Sequence, residues 1–502
     1  MIKPNVLVWF AIVLISISGI SDANAQPCKE VVGYYAGWKW YKRNKLVNPE
    51  TIDYSKYTIL NYAFFKPLAD GGIIEGDAWA DKNILLGRVK KVDGVDAHDK
   101  KSSLVYRAHK NGVKVMVSIG GWTWSSDFPA IAANESSRTK FANSCVEHIQ
   151  KYGFDGIDID WEYPGHKAHN GTPDDKRNFT LLLSAIREAL NNHGKKTNHE
   201  YLLTAAFGPS PVHMANIEWD EVVPLLDMVH LMTYNYYGAW DPVMNHNTPL
   251  YKPAVGSASY CIESSVNMLL HTYGVPSSKL TLGLAFYGRS SVSEGVAELH
   301  KKGKGVADAI TFVEEKGTPS YYNILLKADM FEQEWDDLSK VPYLKGKNGH
   351  PSFVSFDNPE SISVKVSYAI ENNFKGVVIW DITGDYIETF PGSGQIAGTP
   401  LCDAVNNTFC NAQSQLKIAS DHNQTELTAF PNPFRSEIEI AWNNTMQAEE
   451  IRIVNGSGEL VFKQTSGLYG NLKLSTAEWA PGVYFISLQY AGKVNVVKVM
   501  KL

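Results

Sequence analysis

The sequence has little cysteine, no marked excess of either charge and no apolar run long enough to cross a membrane comfortably. Its five cysteines cannot all pair within the chain, so at least one is free or pairs between chains. Cys402 and Cys410 are close enough to close a small loop, but spacing alone does not settle the pairing. The 47 basic and 53 acidic residues form no long run of one sign, which argues against a nucleic acid or an anionic membrane as the main partner. Because neither a CxxC motif nor a His-rich segment is present, we expect no metal and no other cofactor.

The N-terminus has the pattern of a secretory signal peptide. Lys3 precedes an apolar stretch of about 15 residues, and Ala23-Asn24-Ala25 provides a small-residue cleavage site. Such a stretch is short for a membrane span, although a retained membrane anchor is an alternative. We therefore expect residues 1–25 to be a signal peptide and the protein to be secreted, either extracellular or on the cell surface.

Aromatic residues are abundant, with 13 Trp and 25 Tyr in a chain that is 12% aromatic. This number exceeds what core packing usually needs. Because aromatic faces also stack on sugar rings, the composition favours a carbohydrate ligand.

The segment DGIDIDWEYP, residues 155–164, contains an unusual row of acids. Since a strand alternates its faces, Asp158, Asp160 and Glu162 should share one face, opposite an apolar face. Clustered buried carboxylates repel one another and lose hydration, so this row predicts a functional site. The alternative is an exposed edge strand with a solvated acidic face, which the apolar opposite face disfavours. Asp155 has the opposite parity and is expected to be structural.

Eight short β-branched or aromatic runs follow one another, most of them separated by helix-like segments such as 178–191. The runs begin at Val31, Thr58, Val113, Phe154, Tyr201, Met228, Leu280 and Lys375. A strand followed by a helix eight times predicts an α/β fold, the (β/α)8 TIM barrel. A doubly wound open sheet is the alternative.

Two further regions do not fit the barrel repeat. Residues 291–353 are too long for a bare loop and are interpreted as a small inserted α+β subdomain between strands 7 and 8. We assign residues 26–410 to the barrel with this insertion and residues 411–426 to a polar linker. The alternating strands of residues 427–502 predict a C-terminal β-sandwich.

In a barrel of this kind, side chains at the carboxyl ends of the strands reach the active site. The third run ends in Ser118, Gly120 and Gly121, which let the backbone or a substrate approach the acids closely. The sixth run ends in Met232, Tyr234 and Asn235, and the eighth ends in Trp380. These ends are therefore the expected partners of the acid row.

These motifs resemble a known family. DGIDIDWEYP with SIGG, MTYN, YGR and WDITGD, in this order, resembles the glycoside hydrolase family 18 chitinases over about residues 29–400. The segment YYGAWDPVMNHNTPLY and the insertion resemble the subgroup that has a deep substrate cleft. The resemblance implies retaining hydrolysis in which the substrate's own acetamide is the nucleophile.

The resemblance also implies roles for individual residues. Glu162 would be the general acid and then the base, Asp160 would orient the acetamide, and Asp158 would share a proton with Asp160. Tyr234 would donate a hydrogen bond to the acetamide oxygen, and Trp380 would lie under the distorted sugar. Further positions match the substrate-binding cleft more loosely, namely Tyr34, Trp38, Phe64, Trp122, Tyr163, Met232, Trp240, Tyr287 and Arg289. An aromatic residue at a strand end can equally belong to the core.

One residue departs from the family pattern. The family commonly has Asp after the tyrosine of the sixth-strand motif, whereas this chain has Asn235. An amide can hold a sugar hydroxyl but carries no charge, so we expect a shifted pH profile and not a loss of activity.

The C-terminal region carries a second resemblance. AFPNPF from Ala429, WAPGVYF from Trp479 and the terminal KVMKL resemble the sorting domain of type IX secretion cargo in Bacteroidetes-type bacteria. The resemblance implies the type IX secretion machinery as a partner. The alternative is a carbohydrate-binding sandwich, because the fold alone does not define a function.

The sequence thus predicts a secreted chitinase, endo-type favoured, acting on chitin or chitooligosaccharides. The alternatives are an endo-β-N-acetylglucosaminidase acting on N-glycans or peptidoglycan, a chitin-binding lectin without activity, and a metal-dependent hydrolase that uses the acid row. The presence of Glu162 argues against the lectin, because lectin-like relatives usually lack it.

Overall fold

The computed structural model describes residues 29–502 except 93–94, 422–426, 433, 443–447, 457, 466–469, 491–492 and 502. The predicted signal peptide at 1–25 therefore lies outside the described residues. The chain divides into two compact units, Met1–Cys410 and Asn411–Leu502.

Eight parallel strands form the centre of the first unit. They are β1 (Glu30–Ala36), β2 (Ile59–Pro67), β3 (Lys114–Gly120), β4 (Gly156–Asp160), β5 (Leu202–Phe207), β6 (Met228–Leu231), β7 (Leu280–Ala285) and β8 (Gly376–Trp380). Each strand pairs with the next, and β1 pairs with both β2 and β8, which closes the sheet. The predicted (β/α)8 barrel is confirmed, and the open doubly wound alternative is wrong.

Strand β4, which carries the acid row, is buried along its whole length between β3 and β5. Its outward residues Ile157 and Ile159 belong to the main core, which also contains Trp161. The Trp161 ring stacks on Phe128 at 5.3 Å between centroids and meets Phe179 edge-on at 5.7 Å. The exposed-edge alternative is therefore wrong. The strand itself ends at Asp160, so Glu162 lies in the following loop and not on the strand as its alternation suggested.

Helices cover the outside of the barrel. The segment expected to be helical at 178–191 lies within the helix Asp175–Thr197, which buries Phe179, Leu182 and Ile186 against the core. The α-helices are Ala78–Leu85, Leu104–Lys110, Phe128–Ala133, Glu135–Tyr152, Asp175–Thr197, Pro211–Ala215, Trp219–Val222, Ile262–Asn267, Tyr321–Leu326, Pro359–Glu371 and Pro400–Asp421. Short 3-10 segments are Gly37–Lys45, Tyr54–Lys56, Lys100–Ser102, Trp122–Asp127, Lys167–His169, Val223–Leu225, Ser277–Lys279, Ala328–Met330 and Ile382–Asp385, and one π-helical turn is Met268–Thr272.

The predicted insertion between β7 and β8 is an antiparallel sheet with one α-helix, Tyr321–Leu326. Its four strands lie in the spatial order Arg289–Val292, Ser352–Ser355, Val341–Gly346 and Phe331–Asp336. His246, in the loop after β6, contacts the last of these strands through Asp336 at 2.9 Å. The insertion is therefore attached to the loops at the carboxyl ends of the barrel strands.

Several short strands complete the first unit. Ile73–Glu75 pairs with β2, Val89–Val92 pairs with Val95–His98, and Ile387–Glu388 pairs with Ile396–Gly398.

Asp155, just before β4, accepts a hydrogen bond from the Val115 backbone N–H at 2.6 Å and contacts His109 Nε2 at 2.7 Å. These contacts lie at the opposite end of the strand from the acid row. They agree with the structural role expected for Asp155.

The second unit contains two antiparallel sheets around one apolar core, as expected for a β-sandwich. One sheet contains Thr428–Phe430, Glu437–Ala441 and Asn471–Ser475, and the other contains Leu460–Gln464, Glu450–Asn455, Gly482–Tyr490 and Lys493–Lys501. The core between them includes Phe434, Ile440 and Ile486. The helix Pro400–Asp421 continues past residue 410, so the first part of the predicted linker is helical.

The cysteines do not form the small loop that their spacing allowed. Cys145, Cys261 and Cys402 are buried free thiols, whereas Cys410 is disulfide-bonded.

Within the part of the chain that the structure describes, no helix is both long and apolar enough to cross a membrane.

Candidate active site

The carboxyl ends of the barrel strands open into a cleft of about 1040 Å³. Most of the predicted site residues line it, namely Tyr34, Trp38, Phe64, Trp122, Asp160, Glu162, Tyr163, Met232, Tyr234, Asn235, Trp240, Arg289 and Trp380. Asp158 and Tyr287 lie just behind this lining. Sequence reasoning missed other lining residues, including Gly76, Asp77, Asp81, Thr123 and Trp124.

Asp158 is fully buried and both of its carboxylate oxygens accept hydrogen bonds. Oδ2 accepts from the Tyr34 hydroxyl and from Ser118 Oγ, each at 2.7 Å, and Oδ1 accepts from Thr204 Oγ1 at 2.6 Å. His230 Nε2 lies 3.8 Å from Oδ1. A buried carboxylate is tolerated when its oxygens are satisfied in this way. Asp158 therefore forms the base of the site and not its surface.

The partners of Asp158 come from the inward positions of other barrel strands. Ser118 was expected as a partner of the acid row, whereas Thr204 and His230 were not predicted. Ser118, Thr204 and His230 lie on β3, β5 and β6, beside β4 or one strand away. The alternation of side chains along a strand could have indicated Thr204 and His230, because polar residues at inward-facing positions of adjacent strands meet inside the barrel. His230 also contacts Thr281 on β7, at 2.6 Å. Burial lowers the pKa of His230, and the neighbouring Asp158 opposes this effect.

Asp160 has different surroundings, although it lies only two residues further along the strand. It is 4% exposed, and its Oδ1 atom has no hydrogen-bond partner among the described residues. Burial, followed by the nearby charges of Glu162 and Asp158, raises its pKa well above the ordinary value. A buried, unpaired carboxyl oxygen facing a cleft is placed to receive a group from a ligand.

Glu162 is held by both polar groups of its backbone. Its N–H donates to Ser125 Oγ at 2.8 Å, and its carbonyl accepts from His169 Nδ1 at 2.5 Å. Burial raises the pKa of the Glu162 carboxyl to about 7, although hydrogen bonds from the Tyr163 hydroxyl and the Trp122 backbone N–H favour the ionised form. A carboxylic acid that keeps its proton near neutral pH can act as a general acid.

Two glycines allow the backbone to pass close to these acids. Gly120 and Gly121 have φ values of 113° and 76°, which side chains other than glycine rarely adopt. A Cβ atom on Gly120 would lie 2.3 Å from the Asp160 carbonyl oxygen, and one on Gly121 would lie 2.4 Å from the Phe64 ring. The predicted close approach at the end of β3 is therefore present.

Aromatic rings form the floor of the cleft. Trp380 at the end of β8 stacks on Phe64 at 5.4 Å, and Phe64 stacks on Trp38 at 5.8 Å. Tyr34 meets Trp380 edge-on at 5.4 Å. Tyr234 and Met232 belong to a neighbouring buried cluster that also contacts Trp380 and Tyr163. The acids thus face an extended aromatic surface.

Three tryptophans at the cleft are exposed to an unusual degree. Trp38 is 45%, Trp122 53% and Trp240 57% exposed. Exposed large apolar side chains grouped around one groove mark a binding surface and not a core. Their flat faces can stack on the apolar faces of sugar rings.

Asn235 lies at the centre of a polar group on one wall. Its Oδ1 accepts from the Tyr287 hydroxyl at 2.6 Å and from Arg289 Nε and Nη2 at 2.9 and 2.7 Å. The Arg289 guanidinium lies over the Trp240 ring, 4.8 Å from its centroid. The side-chain oxygen of Asn235 is therefore occupied by three donors.

The described residues contain no group of three or more His, Cys, Asp or Glu side chains arranged to hold a metal ion. The site consists instead of carboxyl groups, hydroxyl groups and aromatic rings.

Comparison with known proteins agrees with this arrangement. Residues 30–385 match the family model of the glycosyl hydrolases family 18, which covers the eight barrel strands and the insertion. The chain belongs to this family. The resemblance seen in the sequence is thereby confirmed, and the protein is a glycoside hydrolase.

Individual relatives of this glycosyl hydrolase are chitinases. The chain is 32% identical over 469 residues to Chitinase A1 of Niallia circulans, covering 84% of this chain and 64% of that protein. It is 33% identical to Chitinase 1 of Aphanocladium album, covering 69% of this chain and 80% of that protein. Among solved structures, chitinase ChiA74 from Bacillus thuringiensis superposes with a TM-score of 0.66 at 26% identity, covering 94% and 84% of the two chains. The chain thus spans slightly less than two thirds of the first of these relatives.

The second unit has its own match. Residues 428–501 match the family model of the secretion system C-terminal sorting domain. The sorting domain indicates secretion or export to the cell surface, and it favours this interpretation over the carbohydrate-binding sandwich.

Proposed function

We propose that this glycosyl hydrolase is a secreted chitinase that cleaves β-1,4 linkages between N-acetylglucosamine units with retention of configuration. The observation that carries the proposal is a pair of carboxyl groups at the bottom of a tryptophan-lined cleft. The pKa of Glu162 is about 7, and Oδ1 of Asp160 has no hydrogen-bond partner in the described part of the chain. Chitinases among the relatives support the choice of substrate.

In the first step, Glu162 donates its proton to the glycosidic oxygen as the bond to the anomeric carbon breaks. The acetamide oxygen of the same sugar attacks the anomeric carbon and forms a cyclic oxazolinium ion. Asp160 holds the acetamide N–H and stabilises the positive charge of the ring. The hydrogen-bonded Asp158 below it disfavours a second negative charge close by, so the two aspartates share a proton.

In the second step, the ionised Glu162 removes a proton from water, and the water oxygen opens the oxazolinium ring at the anomeric carbon. Tyr234 donates a hydrogen bond to the acetamide oxygen and thereby orients it towards the anomeric carbon. Trp380 stacks under the sugar being cleaved. Two displacements at one carbon return the product to the β configuration.

The cleft favours a polymer over a short glycan. The insertion provides Arg289 on one wall, and Trp38, Trp122 and Trp240 offer exposed stacking faces. This arrangement supports endo-type action on chitin or chitooligosaccharides over action on N-glycans.

We also propose the organisation that export requires. A signal peptide at 1–25 would lead the chain to the periplasm, residues 26–410 with the insertion 291–353 would form the catalytic unit, and residues 411–426 would link it to the sorting sandwich at 427–502. The sorting domain would then engage the type IX secretion machinery. Mass spectrometry of the culture supernatant tests this organisation, because a mature protein that still contained Leu502 would argue for a binding module.

The test of the catalytic proposal uses chitin oligosaccharides with the wild-type protein and Glu162→Gln. Early products are separated by anomer before mutarotation, and we expect the β anomer from the wild type and almost no product from the variant. An early α anomer would contradict the retaining mechanism, and undiminished activity of the variant would contradict the role of Glu162. Release of intact glycans from a glycoprotein, with no cleavage of chitin oligosaccharides, would favour the endo-β-N-acetylglucosaminidase.

A further inference from the structure

A loop beyond β4 carries a histidine that the proposed mechanism does not use. His169 ends the short segment Lys167–His169, seven residues after Glu162. Its Nδ1 atom lies 2.5 Å from the Glu162 carbonyl oxygen. Because a carbonyl oxygen can only accept, Nδ1 must carry the hydrogen. The imidazole therefore donates to the backbone of Glu162.

The same imidazole also contacts the aromatic wall. The His169 ring meets the Trp122 ring edge-on, with centroids 4.5 Å apart. The backbone N–H of Trp122 in turn favours the ionised form of the Glu162 carboxyl. His169 thus contacts both the backbone of Glu162 and the ring of Trp122.

The loop that carries His169 is fixed by hydrogen bonds of its own. The backbone N–H groups of His169 and Gly171 both donate to the His166 carbonyl at 3.0 Å. Asn170 adopts a left-handed conformation and donates from Nδ2 to the Ser126 carbonyl at 3.1 Å. The histidine is therefore presented from a short closed turn that is attached to the segment containing Trp122.

We propose that His169 is a positioning residue that holds the carboxyl group of Glu162 and the stacking face of Trp122 in fixed relation to each other. His169 is not among the residues that line the cleft. Its hydrogen bond sets the backbone of the loop from which Glu162 extends, and its ring edge supports the wall beside it. This assignment rests on the proposed function of Glu162 as the general acid.

The two contacts can be separated by substitution. His169→Asn keeps an N–H donor near the position of Nδ1 but loses the ring. His169→Phe keeps a ring edge for Trp122 but loses the donor. His166→Phe is the matched control, because His166 lies on the same loop 5.6 Å from the Trp122 ring but is held through its backbone N–H, which donates to the Tyr163 carbonyl at 2.9 Å.

The measurements are kcat and KM on chitin oligosaccharides, with the melting temperature of each variant as a check on folding. We expect His169→Phe to lower kcat roughly tenfold with KM little changed, because misplaced catalytic groups lose rate and not affinity. We expect His169→Asn to restore kcat to within about twofold and to raise KM about threefold, the loss expected for one aromatic contact. The His166→Phe control should stay within about twofold of the wild type in both constants.

Two results would overturn the assignment. Equal kcat values for His169→Phe and the wild type would show that the donor does not position Glu162. Equal losses of kcat in the Phe and Asn variants would show that the donor does not rescue the rate. An inactive wild-type protein would instead overturn the proposed function and this assignment together, so the two failures are distinguishable.

Discussion

The inner and outer parts of the acid row have the same charge but opposite surroundings. At the inner end, Asp158 lies inside the barrel and its oxygens accept hydrogen bonds from three hydroxyl groups. At the outer end, one oxygen of Asp160 accepts no hydrogen bond from the residues that the structure describes, and Glu162 faces the cleft with a raised pKa. The difference teaches that hydrogen-bond satisfaction, and not residue type, separates a supporting carboxylate from a reactive one.

The largest effect should come from the outer end. Glu162→Gln removes the proton donor but keeps the size of the side chain, so we expect kcat to fall roughly 10³-fold on chitin oligosaccharides, within the range for loss of general acid catalysis. Stability at pH 8 should not fall, since the raised pKa means that the ionised carboxyl is unfavourable in the folded protein. Initial rates and urea unfolding measure both. If Glu162→Gln kept wild-type activity, the outer end of the acid row would not be more reactive than the inner end.

Asp160→Asn should have the next largest effect. It keeps a polar group at the unpartnered position but cannot become negatively charged as the oxazolinium ion forms, so we expect kcat to fall about 10²-fold. Asp155→Asn, at the other end of the same strand, is the matched control and should leave kcat unchanged. Steady-state kinetics of both variants test this, and equal losses in the two would mean that position on the strand does not matter.

Asp158→Ala should show its effect in stability. Three buried hydroxyl donors lose their acceptor, so we expect a loss of about 3 kcal/mol in the free energy of unfolding. Asp160→Ala is the comparison, because Oδ1 of Asp160 accepts no hydrogen bond from the described residues, and its loss should be smaller. Urea denaturation measures both. If Asp158→Ala were no less stable than Asp160→Ala, the inner carboxylate would not have the supporting role assigned to it.

The sequence predicted the outer end of this comparison better than the inner end. Strand alternation and the order of the runs were enough to place Asp160 and Trp380 at the carboxyl ends of barrel strands, because the period of a strand and the closure of the barrel determine those positions. The position of Glu162 was predicted in part. It faces the cleft as expected, but from a loop held by Ser125 and His169.

The inner end depended on contacts between residues distant in sequence. Thr204 and His230 meet Asp158 because of the order and register of β4, β5 and β6, and a polar residue inside a strand looks the same in sequence whether or not it has such a partner. The contacts of His169 with Glu162 and Trp122 likewise require the path of a loop, which residue patterns do not specify.

The smallest expected effect concerns Asn235, where the chain departs from its family. With Glu162 protonated up to a pKa of about 7, kcat should fall as the pH rises through that value, since the ionised group cannot donate a proton. Asn235→Asp adds a negative charge to the same cleft, and a like charge disfavours ionisation of Glu162. The basic limb of the kcat profile should therefore move upward, by no more than about one pH unit, because Arg289 already contacts this side chain and would offset part of the added charge. A kcat profile between pH 4 and pH 9 measures the shift. An unchanged profile would mean that the wall around Asn235 is electrostatically separate from the outer end of the acid row.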